Sequence, residues 1–330
     1  MAGVPARPHL FRLSVVVPCF NEEAVIEETN RRLLAVLGAQ EDFELELVYV
    51  DDGSSDATET LLADLAEQDA RINVVSLARN FGHQPAITAG IDHVSGDVVA
   101  VIDGDLQDPP EIILQMLGLW RQGYDVVYGV RRDRKEGLVR RAAYALFYRL
   151  HRWLADIDVP LDSGDFSLMD RRVIKVLRTL PEHNRFVRGL RAWSGFRQVG
   201  LPYERQARAA GITKYGWPKL LRLALDGIIN FSAAPLTGIF ILGVCASGLA
   251  ALAASAYLVA YLASVPIFGR APEEAAGFMT LILVLLFFSG LQLICIGILG
   301  EYLGRVYQEA KRRPVYVVKD LWGVRFKEER

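Results

Sequence analysis

The sequence is short of the residues that would announce several common kinds of protein. Only three cysteines occur, Cys19, Cys245 and Cys295, and they are far apart. They offer neither a disulfide framework nor metal-ligand spacing, so a reducing compartment is expected. The net charge of −2 leaves no basic excess to neutralise a phosphate backbone, which argues against nucleic acid as the partner. Residues 1–12 carry no apolar stretch ahead of a small-residue cleavage site, so we expect no signal peptide and a first domain that stays in the cytosol. No G-x-G-x-x-G follows the first apolar run, which disfavours a nicotinamide or flavin site.

Charge is also missing over two long stretches, 227–269 and 275–300. A helix needs about 20 apolar residues to cross the hydrocarbon layer. The second stretch fits one span, about 278–299. The first could just hold two, but no polar turn divides it, and Pro235 and Pro266 bracket a single span at about 236–263. Two spans return the chain to the cytosol, where Lys311, Arg312 and Arg313 then satisfy the positive-inside rule. Segments 140–154 and 217–231 mix Lys and Arg with aromatic and leucine side chains, as helices in the headgroup layer do. An ordinary core-covering helix remains open for the first of them. The expected organisation is a cytosolic α/β domain over 1–214, an interfacial helix over 215–232, a membrane domain over 233–300 and a cytosolic tail over 301–330.

The N-terminal half alternates β-branched runs (13–18, 46–51, 72–77, 98–103, 126–130) with helical stretches (22–37, 56–68, 84–94, 110–122). That pattern predicts a mostly parallel sheet with helices on both faces. Ligands of such sheets bind at the carboxyl ends of the strands. The first strand runs into Pro18-Cys19-Phe20-Asn21-Glu22-Glu23. The second runs into Asp51-Asp52-Gly53-Ser54, which suits a turn and helix cap but could also accept hydrogen bonds from a ribose or base. The fourth ends in Asp103-Gly104-Asp105-Leu106-Gln107-Asp108-Pro109-Pro110. Two carboxylates two residues apart, with Gly allowing close approach, are hard oxygen donors suited to Mg²⁺ or Mn²⁺ on a diphosphate. The same acids could simply cap the helix that the prolines open. Segment 314–326 alternates like a strand with a turn near Asp320; it could pack on the sheet or on a neighbouring subunit, which leaves homo-oligomerisation open.

Taken in order, VVVPCFNEE, YVDDGSSDAT, ARNFGHQPAITAG, DGDLQDPPE, DSGDFSLMDRRV and RAAGITKYGWPKL resemble glycosyltransferase family 2. Within it they are most similar to the polyprenyl-phosphate glycosyltransferases, such as bactoprenol glucosyltransferases and dolichol-phosphate mannose synthases. The resemblance covers residues 13–313. It implies a Rossmann-like GT-A domain and an inverting, metal-dependent transfer from a nucleotide sugar to a polyprenyl phosphate. By that resemblance Pro18, Phe20, Glu22, Val50 and Asp52 would hold the nucleoside. Asp103, Gly104, Asp105 and Gln107 would surround the metal (Mg²⁺ or Mn²⁺) and the diphosphate. Arg131 would bind a donor or acceptor phosphate, although it also begins a basic run that could be merely solvated. Arg208 and Lys214 would close over the phosphates. Asp165 would lie near sugar and acceptor, where we expect it to orient the site, with base catalysis the weaker option. Asp105, Asp165 and Arg131 are therefore the candidate catalytic residues.

The resemblance leans toward glucose from UDP-glucose and undecaprenyl phosphate as acceptor, at the cytoplasmic face of the inner (plasma) membrane, in a multi-pass protein in contact with membrane lipid. GDP-mannose or another nucleotide sugar is the alternative donor. The absence of Q-x-x-R-W argues against a processive polysaccharide synthase. A non-catalytic membrane scaffold is disfavoured by the intact Asp103/Asp105 and Arg208/Lys214 pairs. A chain ended after Tyr203 is expected to be soluble, with little transfer to lipid.

Overall fold

The computed structural model describes residue 7 and residues 10–132, 163–183, 185–205, 234–263 and 278–328. In chain order the elements are β1 (Phe11–Cys19), α1 (Ile26–Leu37), β2 (Phe43–Asp51), α2 (Thr58–Gln68), β3 (Ile72–Leu77), α3 (His83–His93), β4 (Val98–Val101), α4 (Glu111–Arg121), β5 (Val126–Arg132), β6 (Ser163–Asp170), α5 (Arg171–Thr179), α6 (Val187–Trp193), β7 (Gln198–Glu204), α7 (Ala234–Leu262), α8 (Phe278–Ala310), β8 (Val318–Trp322) and α9 (Val324–Glu328). They group into two compact units, one holding the sheet together with residues 313–330, the other holding α7 and α8.

The described strands form one mixed sheet in the order β7-β5-β6-β4-β1-β2-β3-β8. β1, β2, β3 and β4 pair in parallel, as the strand–helix alternation predicts. β1 is buried at every position but Arg12, because helices cover both of its faces. Leu13, Val15, Val17, Leu47 and Tyr49 join Ile26, Leu33 and Leu37 of α1 and Met116 and Trp120 of α4 in the core. Each such side chain contributes roughly 1.5–3 kcal/mol by leaving water. β1 lies between β2 and β4, so the chain order reverses there and leaves a crevice at the strand tips. The residues after β1 and β4 open onto it.

α3 lies close against β1 because residue 90 is glycine: a Cβ there would collide with Val16 Cγ1. That close seat fixes the first turn of α3, which carries His83 and Gln84. β6 runs antiparallel between β4 and β5, and β7 pairs in parallel with β5. Neither strand was expected from the sequence. β6 (SGDFSLMD) has no β-branched run, and β7 (QVGLPYE) contains both Gly and Pro; tertiary pairing overrides those weak local preferences.

The C-terminal segment differs from expectation in two ways. α8 continues unbroken to Ala310, past the expected end of the membrane domain at residue 300. Beyond it, β8 adds to the free edge of β3 in antiparallel register, with Asp320 inside the strand opposite Ser76. The turn falls at Gly323, whose φ of 125° favours glycine. The segment therefore packs on its own chain's sheet. Tyr316 Oη donates to Asp92 (2.9 Å), Lys319 pairs with Glu59 (2.8 Å) and Arg325 with Glu46 (2.9 Å).

Among the described residues one segment, Phe287–Ala310 within α8, is long and apolar enough to cross a membrane; the corresponding part of α7 is the shorter Leu236–Ala246. The two expected spans thus correspond to two helices, of which one meets that length and composition. Phe240, Leu249, Leu293 and Leu303 leave most of their side chains uncovered, which calls for apolar surroundings. The two expected interfacial helices lie outside the described residues, as do Arg208 and Lys214.

Candidate active site

The loops after β1 and β2 are laced together before any ligand arrives. Asn21 Oδ1 accepts from Ser55 N (2.8 Å), and Asn21 N donates to Ser54 Oγ (3.0 Å). Asp52 accepts from the backbone N–H groups of Phe81 (2.7 Å) and Gly82 (2.8 Å), one on each carboxylate oxygen. It is buried, so its first duty is to hold the chain that enters α3. Gly53 makes this possible: its φ is 66°, and a Cβ would strike the backbone of Arg79. The Val50 side chain is fully buried, so any contact of Val50 with a nucleoside would be made by its backbone. Pro18 is buried as well, Glu22 is half-buried, and Phe20 stands exposed beyond the tip of β1.

The loop after β4 carries the acids. Asp103 and Asp105 both face a cluster that also includes Asp108, which is buried. Leu106 between them adopts φ 59°, a left-handed conformation that costs a non-glycine residue about 1–2 kcal/mol, and its side chain is buried as the anchor. Asp105 Oδ1 accepts from the backbone N–H of Gln107 (3.2 Å). At Gly104 a Cβ would find ordinary contact with the Pro18 carbonyl at 3.4 Å, so packing does not demand the glycine there. The Gly104 carbonyl accepts from Thr29 Oγ1 (2.9 Å), which ties the loop to α1.

Asp165 comes to the same place from β6. The Val101–Ser167 pairing sets it beside the chain just past β4. Its carboxylate receives Gln84 Nε2 (3.0 Å) and Arg188 from Nε (3.3 Å) and Nη2 (3.1 Å), and His83 Nε2 lies 3.3 Å away. Burial alone would raise its pKa, but the charges of Arg188 and His83 prevail and hold it far below the usual carboxylate range. A carboxylate that gives up its charge so reluctantly is a poor proton acceptor at neutral pH, which favours the orienting role over the base. His83 is also 3.6 Å from Asp103. Burial disfavours its charge, yet the hydrogen bond to Asp165 and the field of Asp103 leave its pKa raised.

Asp103 carries a raised carboxyl. Burial raises its pKa, Asp108, Asp165 and Asp105 repel its charge, and His83 opposes them. Its Oδ1 and the Oδ2 of Asp108 are buried without a hydrogen bond. Orphaned carboxylate oxygens beside a raised carboxyl group suit a divalent cation. Among the described residues no three His, Cys, Asp or Glu side chains form a ready-made metal site. Mg²⁺-type sites need fewer, taking one or two carboxylates and filling the rest with phosphate oxygens and water. The residues present fit that second kind of site.

Positive charge surrounds the acids. Arg131, at the end of β5, brings Nε to 3.5 Å from Tyr203 Oη, and Tyr203 donates to Asp108 (2.5 Å). Arg131 is therefore half-buried in the site, not a member of a merely solvated run. Arg205 approaches Asp108 (3.3 Å), Asp103 (3.6 Å) and Asp105 (3.9 Å). Arg191, one turn beyond Arg188 on α6, is fully buried over the Tyr128 ring (5.2 Å), and burial draws its pKa down to about 10. It stays charged at neutral pH and adds positive potential behind Asp165. The sequence contained His83, Gln84 and Asp108 inside motifs already singled out, yet no role was attached to them, and Arg188, Arg191, Tyr203 and Arg205 were missed. A cavity of about 500 Å³ between α7 and α8, lined by Ile239, Leu242, Phe288 and Leu291, has no titratable carboxylate or base and is not the seat of this chemistry.

The model of glycosyl transferase family 2 matches residues 14–178. The uncharacterized glycosyltransferase YkcC of Bacillus subtilis is 45% identical over 312 residues, covering 94% of each chain. The bactoprenol glucosyl transferase of Shigella phage SfV is 39% identical over 313 residues, covering 94% of this chain and 98% of that one. Among solved structures, glucosyl-3-phosphoglycerate synthase from Mycobacterium tuberculosis with Mn²⁺, UDP-glucose and phosphoglyceric acid is 24% identical over 66% of this chain and 78% of that chain, with a TM-score of 0.44, too slight a likeness to argue from. The family match and the near-full-length relatives identify the chain as a glycosyltransferase that belongs to glycosyl transferase family 2.

Proposed function

We propose that this glycosyltransferase moves a hexose, glucose from UDP-glucose, with inversion onto undecaprenyl phosphate at the cytoplasmic face of the membrane. The observation that carries the reading is the acidic cluster at the tip of β4, where Asp103 and Asp108 each hold a buried, unbonded carboxylate oxygen amid arginines. The bactoprenol glucosyl transferases that resemble this chain over nearly its whole length support the acceptor and the sugar.

Asp103 and Asp105 would hold a divalent cation, Mg²⁺ or Mn²⁺, with Gln107 beside them. When bound, such a cation draws negative charge off a departing nucleoside diphosphate. The chain's own groups do the rest. Arg131, held against Tyr203, and Arg205 would supply positive charge where the leaving group and the acceptor phosphate meet. Phosphate monoesters have a second pKa of about 6, so the acceptor is already largely dianionic at neutral pH and needs no strong base. Asp165 is free to act as an anchor, fixing Gln84, His83 and Arg188 around the sugar-side wall. Arg208 and Lys214 are proposed to add further charge to the diphosphate. Pro18, Phe20, Glu22 and the Asp52 loop are proposed to frame the nucleoside.

Both α7 and α8 are proposed to cross the bilayer, with residues 1–214 and 301–330 on the cytoplasmic side. A polyprenyl chain would then lie in lipid while its phosphate reaches the interface, where juxtamembrane Lys and Arg favour anionic groups. The test is to supply the purified full chain with Mg²⁺ or Mn²⁺, undecaprenyl phosphate and a panel of nucleotide sugars, and to identify the lipid product. Glucosyl phosphoryl undecaprenol from UDP-glucose is expected. Lipid product from GDP-mannose alone would replace the sugar assignment, and no lipid product from any donor would overturn the reading.

A further inference from the structure

Arg205 occupies an unusual position for a side chain at the mouth of a cation site. It follows β7 directly, and its guanidinium lies among all three carboxylates of the β4 loop: Nε to Asp108 Oδ1 at 3.3 Å, Nη2 to Asp103 Oδ2 at 3.6 Å and to Asp105 Oδ2 at 3.9 Å. Only the Asp108 contact has hydrogen-bond geometry. The other two are charge contacts over the two side chains that would grip a cation. Asp108 acts as the tether: it is buried, and its Oδ1 is shared by Arg205 and by the hydroxyl of Tyr203. Tyr203 stays protonated and donating, since burial and the Asp108 charge both hold its pKa above the ordinary range.

We propose that Arg205 is a positioning residue that stands in for the divalent cation while the donor is absent. With its charge beside Asp103 and Asp105, the bare protein has little net attraction for a free cation. The nucleoside diphosphate changes this balance by bringing negative oxygens that satisfy both cation and guanidinium. Cation and nucleotide then bind as a unit, with Arg205 turned from the carboxylates toward the diphosphate. This inference rests on the cation site proposed above. It adds what that proposal leaves open: the order of binding, and which residue sets it.

The test measures Mn²⁺ binding to the full chain by loss of the free-ion electron paramagnetic resonance signal, first with Mn²⁺ alone and then with Mn²⁺ and UDP. Wild type is expected to bind Mn²⁺ weakly alone and tightly with UDP. Arg205→Gln and Arg205→Met, either of which removes the charge, are expected to bind Mn²⁺ alone about tenfold more tightly than wild type, because one positive charge within 4 Å of both the Asp103 and Asp105 carboxylates has been taken away. Arg205→Lys keeps the charge and is expected to resemble wild type. Retained UDP-dependent binding in each variant reports that it is folded. If wild type takes up Mn²⁺ with UDP but the Gln and Met variants match it in Mn²⁺ alone, the role of Arg205 is wrong and the cation site stands. If wild type takes up no Mn²⁺ even with UDP, the cation site itself falls and the role of Arg205 with it.

Discussion

Replacing Asp165 by Asn tests whether this carboxylate is an anchor or a base. Four donor groups from three side chains converge on it: Gln84 Nε2, Arg188 Nε and Nη2, and His83 Nε2. An Asn amide keeps one acceptor oxygen but turns an NH₂ toward donors, so at least one contact becomes donor against donor. Breaking a buried ion pair by removing one partner costs about 3–5 kcal/mol. Arg188 is 31% exposed and recovers part of its hydration, so the lower end, about 3 kcal/mol, applies. For a unit of this size that corresponds to a fall in Tm of roughly 6–12 °C. Thermal unfolding in detergent, followed by tryptophan fluorescence, measures it. Turnover should fall by about 10–100-fold, while the pH dependence of the rate keeps its shape, because no titrating base has been removed. Asp105→Ala, in contrast, should abolish turnover. If Asp165→Asn lost as much activity as Asp105→Ala while Tm and donor binding were unchanged, or if it erased an acidic limb of the pH profile, the anchoring role would be refuted.

The same network sets a pH dependence. Asp165 has a depressed folded pKa, so its stabilisation is present above the ordinary value of about 4 and is lost as pH falls through the lower folded value. His83 has a raised folded pKa, so its contribution is full below about 6.5 and is lost as pH rises through the folded value. The Tm gap between wild type and Asp165→Asn should therefore be widest between about pH 4 and 6.5, narrowing on either side as far as the Arg188 pair allows; a gap that widens steadily with alkaline pH would contradict this assignment. Gly90→Ala should push α3 off Val16, cost about 1–3 kcal/mol by overpacking and weaken donor binding through displaced His83 and Gln84; unchanged Tm and KM would show that the close seat is not needed. A chain ended at residue 312 should lose β8 and the Lys319–Glu59 and Arg325–Glu46 pairs, leave the β3 edge bare, and aggregate or unfold at lower temperature; the wild-type Tm in that truncation would show that β8 does not stabilise the sheet.

The pairing of β8 with β3 changes what a truncation experiment reports. A fragment ended after Tyr203 was expected to be a soluble domain lacking only its membrane contact. It would also lack β8, and it would lack Arg205, so loss of lipid transfer in it would not report on the membrane alone.

The parts of the fold that were legible in the sequence are those where local pattern and tertiary demand coincide. β1 to β5 are β-branched runs bounded by turn residues, and the acids after β4 stand where a parallel sheet places its ligands. β6 and β7 escaped notice because Gly164, Asp165, Gly200 and Pro202 are poor strand formers, held in place by β4 and β5 on either side of β6 and by β5 beside the edge strand β7. Asp103 and Asp105 could be picked out because they lie two residues apart in the chain. Their counter-charges could not: Arg205 lies 97 residues from Asp108, and Gln84 lies 81 from Asp165, separations that no local spacing encodes. The strand-end position of Val50 and Asp52 did not announce that the Val50 side chain is buried in the core or that two backbone amides engage Asp52.

The most direct test is the rate of lipid-linked hexose formation by the full chain after exhaustive chelation, and again after Mn²⁺ or Mg²⁺ is restored. If the orphaned oxygens of Asp103 and Asp108 mark a place for a cation on the donor diphosphate, turnover should vanish on chelation and return with the metal in wild type but not in Asp105→Ala. Full turnover in the chelated enzyme would contradict it.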